Sequence, residues 1–198
     1  MMEENEMTIT VLGKGVVGKT SLIYRFINNH VMEEHDATIE DKFTVFETID
    51  GKQYQINILD TAGEDDYQSL LDQWIETADG FLLVYSIDDK ETFEVLEDKY
   101  KRIKKNGSGN SCPIIIVGNK SDLEEIRNVK QKDAQHWANS KHMKYYETSA
   151  TTGTIEQVKL VFIECEKEII KKRKDSLQQS HMNEKDTTYS SSLYCDIF

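Results

Sequence analysis

The stretch GKGVVGKT occupies residues 13–20, between the apolar run TITVLG, which starts at Thr8, and the segment SLIYRFI, whose apolar residues recur at helical spacing. A glycine, four further residues and the triplet Gly18, Lys19 and Thr20 match the pattern of a phosphate-binding loop. The glycines let successive backbone N–H groups point at a phosphate, and the helix that follows adds the positive end of its dipole. The Lys19 ammonium is suited to bridging two phosphates, and the Thr20 hydroxyl to one position on an octahedral Mg2+ ion. The alternative is a glycine-rich turn without a ligand.

Outward from this loop, apolar runs and helical segments alternate along the chain. The stretch KFTVFETIDGKQYQINILD, from Lys42, predicts two antiparallel strands about Asp50 and Gly51. GFLLVYSI and PIIIVGN are continuous apolar runs with a segment of helical spacing between them, which is typical of buried parallel strands with a crossover helix. A weaker strand, KYYET, and a last helix with one apolar stripe from Ile155 to Ile169 follow. The pattern predicts an α/β fold.

Composition and charge limit the classes of protein that fit. The chain has 198 residues, 38% of them hydrophobic, with one proline and a formal net charge of -12, as expected of one globular domain. The negative charge argues against a nucleic-acid partner. The acidic N-terminus lacks the pattern of a secretory signal, and the apolar runs are shorter than the ~20 residues of a bilayer span. Three widely spaced cysteines favour a reducing compartment.

The sequence divides into three segments. Residues 1–7 are a short acidic N-terminal extension, and residues 8–174 form the globular domain. Residues 175–198 are polar, and we expect a disordered tail because they contain too few apolar residues to offset the entropy of ordering.

The residues after PIIIVG read NKSD and bear on the choice of nucleotide base. Asp122 closes this tetrapeptide, which begins with Asn119 and Lys120. A carboxylate there accepts hydrogen bonds from the ring N–H and the exocyclic amine of guanine. Adenine would leave it unpaired, at a cost of a few kcal/mol. The tetrapeptide is a weak signal alone, since it also forms solvent-facing turns, but here it follows a buried strand.

Five motifs, GKGVVGKT, DATIED, DTAG, NKSD and ETSA, occur in the order and spacing of a small GTPase of the Ras superfamily, which the chain resembles from Thr8 to Lys172. TIED and ILDTAGEDDY resemble the Ras branch. The resemblance implies a P-loop NTPase fold with a six-stranded, mixed and mostly parallel sheet flanked by five helices. It also implies a guanine-nucleotide switch that hydrolyses GTP to GDP and binds effectors through two mobile loops, switch I and switch II.

The resemblance assigns the family's roles to matching positions. The implied nucleotide contacts are Gly13, Gly15, Val16, Val17, Gly18, Lys19, Thr20, Ser21, Val31, Thr38, Asn119, Lys120, Asp122, Ser149 and Ala150. The implied Mg2+ ligands are Thr20, Thr38 and, through water, Asp60. The residues implied around the γ-phosphate during hydrolysis are Lys19, Thr38, Gly63 and Glu64. The effector-contacting residues are Ile39, Glu40 and Asp41.

Glu64 departs from the family pattern, because most Ras relatives carry at this position the glutamine that orients the attacking water. A carboxylate can accept a proton from that water, but it cannot donate to the γ-phosphate and it adds negative charge beside it. The alternative to a GTPase is therefore a GTP-dependent adaptor with fast exchange and negligible hydrolysis. A third reading, an ATP-using kinase, needs a lid and a second-substrate site that the sequence does not indicate.

Four further departures bear on nucleotide retention. Val31 stands where the family has a phenylalanine across the guanine ring, and Thr151 replaces a lysine that packs near the base. His35 and Ala37 replace a tyrosine and a proline in switch I. We expect a mobile switch I and spontaneous nucleotide exchange; the alternative is ordinary divergence compensated by neighbouring residues.

The chain ends with Cys195, Asp196, Ile197 and Phe198, which match a prenylation signal whose terminal phenylalanine favours geranylgeranyl. One lipid anchors a protein only marginally, and the basic residues from Lys171 to Lys174 would add attraction to an anionic leaflet. We therefore expect a monomer at the cytoplasmic face of a membrane, such as the plasma membrane, and partly in the cytosol. Expected partners are GTP and GDP, effectors, an exchange factor and a GTPase-activating protein.

Overall fold

The computed structural model describes residues 5–29, 40–63, 68–106 and 111–192, with the side chains at 68, 69 and 180–192 excluded. Six strands form one sheet within these ranges. The strands are β1 Glu6–Leu12, β2 Glu40–Ile49, β3 Lys52–Thr61, β4 Gly80–Ser86, β5 Ile114–Asn119 and β6 Lys144–Glu147. Their order across the sheet is β2-β3-β1-β4-β5-β6. Only β2 and β3 pair antiparallel, and the other neighbours in the sheet are parallel. The expected mixed, mostly parallel sheet is confirmed.

Local sequence explains the strands. Every residue of β4 and β5 is buried, as expected of central parallel strands covered by helices on both faces. β2 lies at an edge and alternates between exposed and partly buried residues over most of its length. Asp50 and Gly51 both have positive φ angles, 51° and 78°, which a two-residue hairpin loop with the twist of the strands requires.

Five α-helices cover the sheet in the described ranges, as expected from the resemblance. They are α1 Lys19–Asn28, α2 Gln68–Thr77, α3 Lys90–Lys105, α4 Gln131–Ser140 and α5 Ile155–Ser192. A short 3-10 helix, Ser121–Ile126, follows β5. Apolar residues of α1 and α5 form one core with one face of the sheet, and those of α2, α3 and α4 form a second core on the other face.

The last helix differs from the sequence expectation. α5 continues to Ser192, whereas the loss of apolar periodicity after Lys174 indicates a disordered segment from Asp175. Apolar periodicity reports burial against the core and does not by itself fix where a helix ends, and the segment from Asp175 to Ser192 contains neither glycine nor proline to interrupt the helix. The side chains described beyond Lys174 are exposed. The division into three segments stays a prediction.

Arg173 anchors α5 to the sheet. Its guanidinium donates to Asp79 Oδ1 at 2.7 Å and to Glu6 O at 2.8 Å. The basic run from Lys171 to Lys174 therefore presents three lysines, while its arginine is turned inward. In the described ranges, no helix is long and apolar enough to cross a bilayer.

Candidate functional site

The sequence motifs come together at one end of the sheet, where the carboxyl ends of the parallel strands lie. Val11 of β1 pairs with Asp60 of β3, and Ser86 of β4 pairs with Asn119 of β5. Glu147, at the end of β6, pairs with the residue before Asn119. Open α/β sheets bind their ligands at the carboxyl ends of their strands.

The phosphate loop connects β1 to α1 and is shaped by two close approaches. A Cβ atom on Gly13 would overlap the Val84 carbonyl oxygen of β4. A Cβ atom on Gly18 would lie 2.5 Å from Asn119 Nδ2, and Gly18 also has a φ of 88°. Glycine is therefore required at both positions, because the loop runs directly against β4 and β5.

The two valines in the loop have opposite surroundings. Val17 is fully buried in the core beside α1 and α5, so only its backbone is available to a ligand. Val16 is 92% exposed and has a φ of 61°, an unfavourable conformation for a β-branched residue. Gly15, between Lys14 and Val16, has open space around the position of a Cβ atom.

Lys19 lies inside the curl of the loop. Its ammonium donates to the carbonyl oxygens of Lys14 at 3.1 Å and Gly13 at 3.3 Å. Burial lowers the pKa of Lys19 to about 8, and the Asp60 carboxylate opposes part of this shift. A phosphate anion in the loop would favour the charged ammonium in the same way.

Thr20 and Asp60 form a pair of oxygen ligands beside Lys19. The Thr20 hydroxyl donates to Asp60 Oδ2 at 2.6 Å, and the Asp60 side chain is fully buried at the end of β3. A hydroxyl and a carboxylate are hard oxygen ligands of the kind that Mg2+ prefers, so the pair fits this ion. Thr38, the third expected ligand, lies outside the described residues. The described residues contain no group of three or more His, Cys, Asp and Glu side chains suited to a metal ion.

Gly63 brings the DTAG motif against the phosphate loop. A Cβ atom on Gly63 would overlap the backbone of Gly15 and Lys14, so the two loops pack backbone to backbone. The structure thus places Gly63 beside the loop that precedes Lys19. Glu64, the residue that follows, lies outside the described residues.

Asn119 joins three of the motifs through one side chain. Its Nδ2 donates to Val17 O at 2.9 Å in the phosphate loop. Its Oδ1 accepts from Ala150 N at 3.2 Å and from Thr148 Oγ1 at 3.3 Å in the ETSA motif. The side chain is almost completely buried. Asn119 therefore fixes the phosphate loop relative to the loop after β6.

The loops after β5 and β6 pack on each other. Ser121 N donates to Thr148 O at 2.9 Å, and Thr148 N donates to Gly118 O at 2.9 Å. Ser149 is buried, and its hydroxyl accepts from Thr152 N at 2.9 Å, which fixes the turn after the ETSA motif. Lys120 and Asp122 are partly buried and exposed, respectively, at the rim of this arrangement.

Arg127 and Glu147 support these two loops, and the sequence interpretation gave neither a role. Arg127 Nη1 and Nη2 donate to Glu147 Oε1 and Oε2 at 2.8 and 2.9 Å, and Glu124 accepts a further bond. These carboxylates raise the pKa of Arg127 still further above its ordinary value. Tyr145 also donates to Glu147 and lies 3.0 Å from the Tyr85 hydroxyl. The place of Glu147 at the start of ETSA was the available signal.

The remaining predicted residues fall into two groups. Ser21 lies in α1, and Glu40 and Asp41 are exposed at the start of β2. Glu40 Oε2 accepts a hydrogen bond of 2.6 Å from Trp74 Nε1 of α2, a link that the sequence interpretation missed. The predicted residues outside the described ranges are Val31, Thr38, Ile39, Glu64 and Cys195.

A mostly parallel sheet with a glycine-rich loop between β1 and α1, followed by Lys19, Thr20 and the carboxylate Asp60, defines a P-loop NTPase fold. The family model described as "Ras family" matches residues 8–171. The Ras-like protein rasB of Dictyostelium discoideum is 38% identical over 189 residues, which cover 94% of this chain and 91% of that protein. The Ras-like protein rasW of the same organism is 35% identical, over 92% and 82% of the two chains.

The Ras-related protein R-Ras of Mus musculus is 37% identical over 142 residues, which cover 72% of this chain and 65% of that protein. The chain therefore belongs to the Ras family of small GTPases. Members of this family are hydrolases that bind GTP and GDP with Mg2+.

Proposed function

We propose that this protein is a guanine-nucleotide switch that binds GTP and GDP with Mg2+, hydrolyses GTP and signals to effectors. The observation that carries the proposal is the Asn119 side chain, which joins the phosphate loop, the NKSD motif and the ETSA motif in one hydrogen-bonded unit. A base held by Asp122 and by the backbone at Ser149 and Ala150 would thus be coupled rigidly to phosphates held near Lys19.

The phosphate end of the site follows from the loop geometry. Backbone N–H groups of the loop and the N-terminus of α1 attract the phosphate oxygens, and Lys19 exchanges its carbonyl acceptors for phosphate oxygens. Thr20, Asp60 and the expected Thr38 would hold Mg2+, which supplies charge stabilisation to the phosphates when bound. Gly63 lies close enough to the loop to respond to the presence of the γ-phosphate.

Effectors would recognise the state of the switch at the start of β2. Glu40 and Asp41 are exposed there, and the Trp74 bond ties Glu40 to α2, which follows the DTAG loop. A change at Gly63 on loss of the γ-phosphate would therefore reach both switch I and switch II. Effectors bind this surface, an exchange factor loads GTP and a GTPase-activating protein speeds hydrolysis.

Single-turnover hydrolysis tests the enzymatic part of the proposal. Full-length protein is loaded with GTP and Mg2+, and GTP and GDP are counted by chromatography for wild type and Glu64→Gln. We expect hydrolysis above the rate of the protein-free blank, and the variant shows whether Glu64 helps or hinders. GTP that stays intact in both proteins would contradict hydrolysis and favour the GTP-dependent adaptor, which the carboxylate at Glu64 keeps as the second candidate.

Membrane association is a separate part of the proposal. Prenylation at Cys195, with Lys171, Lys172 and Lys174 facing an anionic leaflet, would hold the protein reversibly at the cytoplasmic face of a membrane, with a cytosolic fraction. Cell fractionation of wild type and Cys195→Ser should show less membrane-bound protein for the variant. Equal solubility of the two proteins would contradict this part and leave the nucleotide switch untouched.

A further inference from the structure

A cavity of about 510 Å³ lies at the amino ends of the strands, at the end of the sheet opposite to the proposed nucleotide site. It is open to solvent and is lined by the end of α3, the start of β5, the turn before β6 and one side of α5. Ile114 lines the cavity, and Asn119 at the other end of β5 lies about 16 Å away, given a rise of ~3.3 Å per strand residue. A ligand here would not compete with the nucleotide.

The cavity is basic, although the whole chain carries a charge of -12. The lysines that line it are Lys104, Lys141, Lys144, Lys171 and Lys172. Two carboxylates, Glu168 and Asp175, also line it. A second cavity of about 430 Å³ shares Lys144 and Lys171 and adds Lys167 and Lys174, but Asp50, Glu168 and Asp175 also line it, so the excess of positive charge is concentrated in the first cavity. Local charge of this kind attracts anions despite the acidic remainder of the chain.

Tyr100 and Glu97 of α3 position two of the lysines. The ammonium groups of Lys104 and Lys141 lie 5.9 and 4.8 Å from the centroid of the Tyr100 ring, so one ring contacts both cations. Lys141 is also 3.3 Å from Glu97 Oε1. Residues of the same helix therefore hold both ammonium groups beside the Tyr100 ring.

Lys144 is the most neutralised of the five lysines. Its ammonium lies 2.7 Å from both Glu164 and Glu168, and these carboxylates raise its pKa. We therefore assign Lys144 a structural part and look to the other lysines for the ligand.

Lys104 and Lys172 both line the cavity, and their positive charges repel each other. Burial lowers the pKa of Lys104, and the positive charge of Lys172 lowers it further. Within the described ranges, neither Lys171 nor Lys172 forms an ion pair with a carboxylate of the protein. An anion between these groups would relieve the repulsion and gain charge-assisted hydrogen bonds.

We propose that this cavity binds a compact anion with two or more phosphate groups, held by Lys104, Lys171 and Lys172. Its volume falls in the range of small-molecule sites, and a single phosphate would leave most of it unfilled. Lysine is a common phosphate ligand because its three N–H groups adapt to phosphate oxygens. A phosphorylated inositol lipid headgroup and a soluble inositol phosphate share this chemistry. The proposal requires neither GTP hydrolysis nor prenylation.

The test uses the unprenylated full-length chain, loaded with GDP and Mg2+ so that the nucleotide site is occupied. One arm titrates soluble inositol trisphosphate by calorimetry. The other measures sedimentation with phosphatidylcholine vesicles that contain phosphatidylinositol bisphosphate, at about 0.1 M salt. Wild type is compared with the cavity variant Lys104→Gln/Lys172→Gln. The control Lys132→Gln/Lys159→Gln loses the same charge from exposed positions of α4 and α5.

We expect the cavity variant to bind at least about tenfold more weakly than wild type, and the control to stay within about twofold. Binding in both arms identifies an anion recognised free in solution, and binding to vesicles alone identifies a lipid-held headgroup. Lys171→Gln, at an exposed position, serves as a second cavity variant whose fold does not depend on the altered side chain. The proposal is overturned when no cavity variant binds either probe more weakly than the control does.

Discussion

At the residue scale, the hydrogen-bonding groups of Asn119 explain why a buried amide stands at the end of β5. Its nitrogen donates to the phosphate loop, and its oxygen accepts from the backbone and side chain of the ETSA motif. A carboxylate would present an acceptor to the Val17 carbonyl oxygen, and a shorter side chain would leave buried groups unpaired. Only a side chain with both a donor and an acceptor satisfies the two loops.

Asn119→Asp therefore tests the coupling of the loops. We expect the variant to lose about 2 to 3 kcal/mol of unfolding free energy and at least tenfold in GDP affinity, because a buried donor is lost and an acceptor faces Val17 O. Thermal unfolding and displacement of a fluorescent GDP analogue measure the two effects. Thr148→Val, which removes only the hydroxyl that donates to Asn119, should lose less. Normal GDP affinity in Asn119→Asp would contradict the coupling.

Glu166 is a second residue with a specific consequence. It is fully buried in α5, and neither carboxylate oxygen has a hydrogen-bond partner among the residues that the structure describes. Burial, with a contribution from Glu47 of β2, raises the pKa of Glu166 from 4.5 to about 7, and Lys167 opposes the shift. Between these pH values the folded state holds a proton that the unfolded state has released. Rising pH therefore destabilises the fold across this interval.

We predict that the unfolding free energy of wild type falls by on the order of 3 kcal/mol as the pH rises from below 4.5 to above 7. Glu166→Gln should lack this contribution and should be more stable than wild type at pH 8. Denaturant titration of GDP-loaded protein at several pH values measures both. Glu164→Gln is the matched control, because the Lys144 ion pair lowers the pKa of Glu164 and its loss should destabilise. Parallel pH profiles for wild type and Glu166→Gln would refute the assignment.

At the element scale, β5 and β6 reach the site through loops that a charged pair holds together. Arg127 follows the 3-10 helix, Glu147 ends β6, and both side chains are 13% exposed. A bidentate pair this far from water is stronger than a surface ion pair. Because the loops that it supports contain Asp122 and Ser149, we expect the pair to act on the proposed guanine site by positioning these two residues.

A double-mutant cycle on Arg127→Ala and Glu147→Ala measures this role. Each single variant should lose about 2 to 3 kcal/mol of unfolding free energy and release GDP faster, and the double variant should lose less than the sum. The pair Arg102 and Asp72 is the control, since it is also bidentate, through Nε and Nη2 of the arginine, but is more exposed than the Arg127 pair. Its removal should cost less than about 1 kcal/mol and leave GDP release unchanged. Equal effects of the two pairs on GDP release would contradict the positioning role.

At the same scale, the sequence predicts the elements better than their joints. The strands β4 and β5 and the phosphate loop can be predicted from local sequence, because a continuous apolar run indicates a buried strand and the spacing of neighbouring glycines indicates the loop. The Arg127 pair spans 20 positions and the Arg173 bond to Asp79 spans 94, so only the folded chain brings them together. The end of α5 could not be predicted from the same patterns, because apolar periodicity reports burial and the segment after Lys174 contains no glycine or proline that would mark the end of a helix.

At the scale of the whole molecule, the sheet separates two regions of different chemistry. The carboxyl ends of the strands carry the motifs for phosphate, Mg2+ and base, and the amino ends carry the lysine-lined cavity. One side of α5 lines this cavity, and the helix continues to Ser192. With this arrangement, an anionic partner bound at the basic end would leave the proposed nucleotide site and the start of β2 accessible.

Nucleotide competition tests the central claim most directly. GTP, GDP and ATP compete with a fluorescent GDP analogue for wild-type protein and for Asp122→Ala, in the presence of Mg2+. The account predicts that GTP and GDP displace the analogue and that ATP binds at least about a hundredfold more weakly, because adenine leaves the Asp122 carboxylate unpaired. Asp122→Ala should lose most of this preference while it retains phosphate contacts. ATP binding to wild type within tenfold of GTP would contradict a guanine-nucleotide switch.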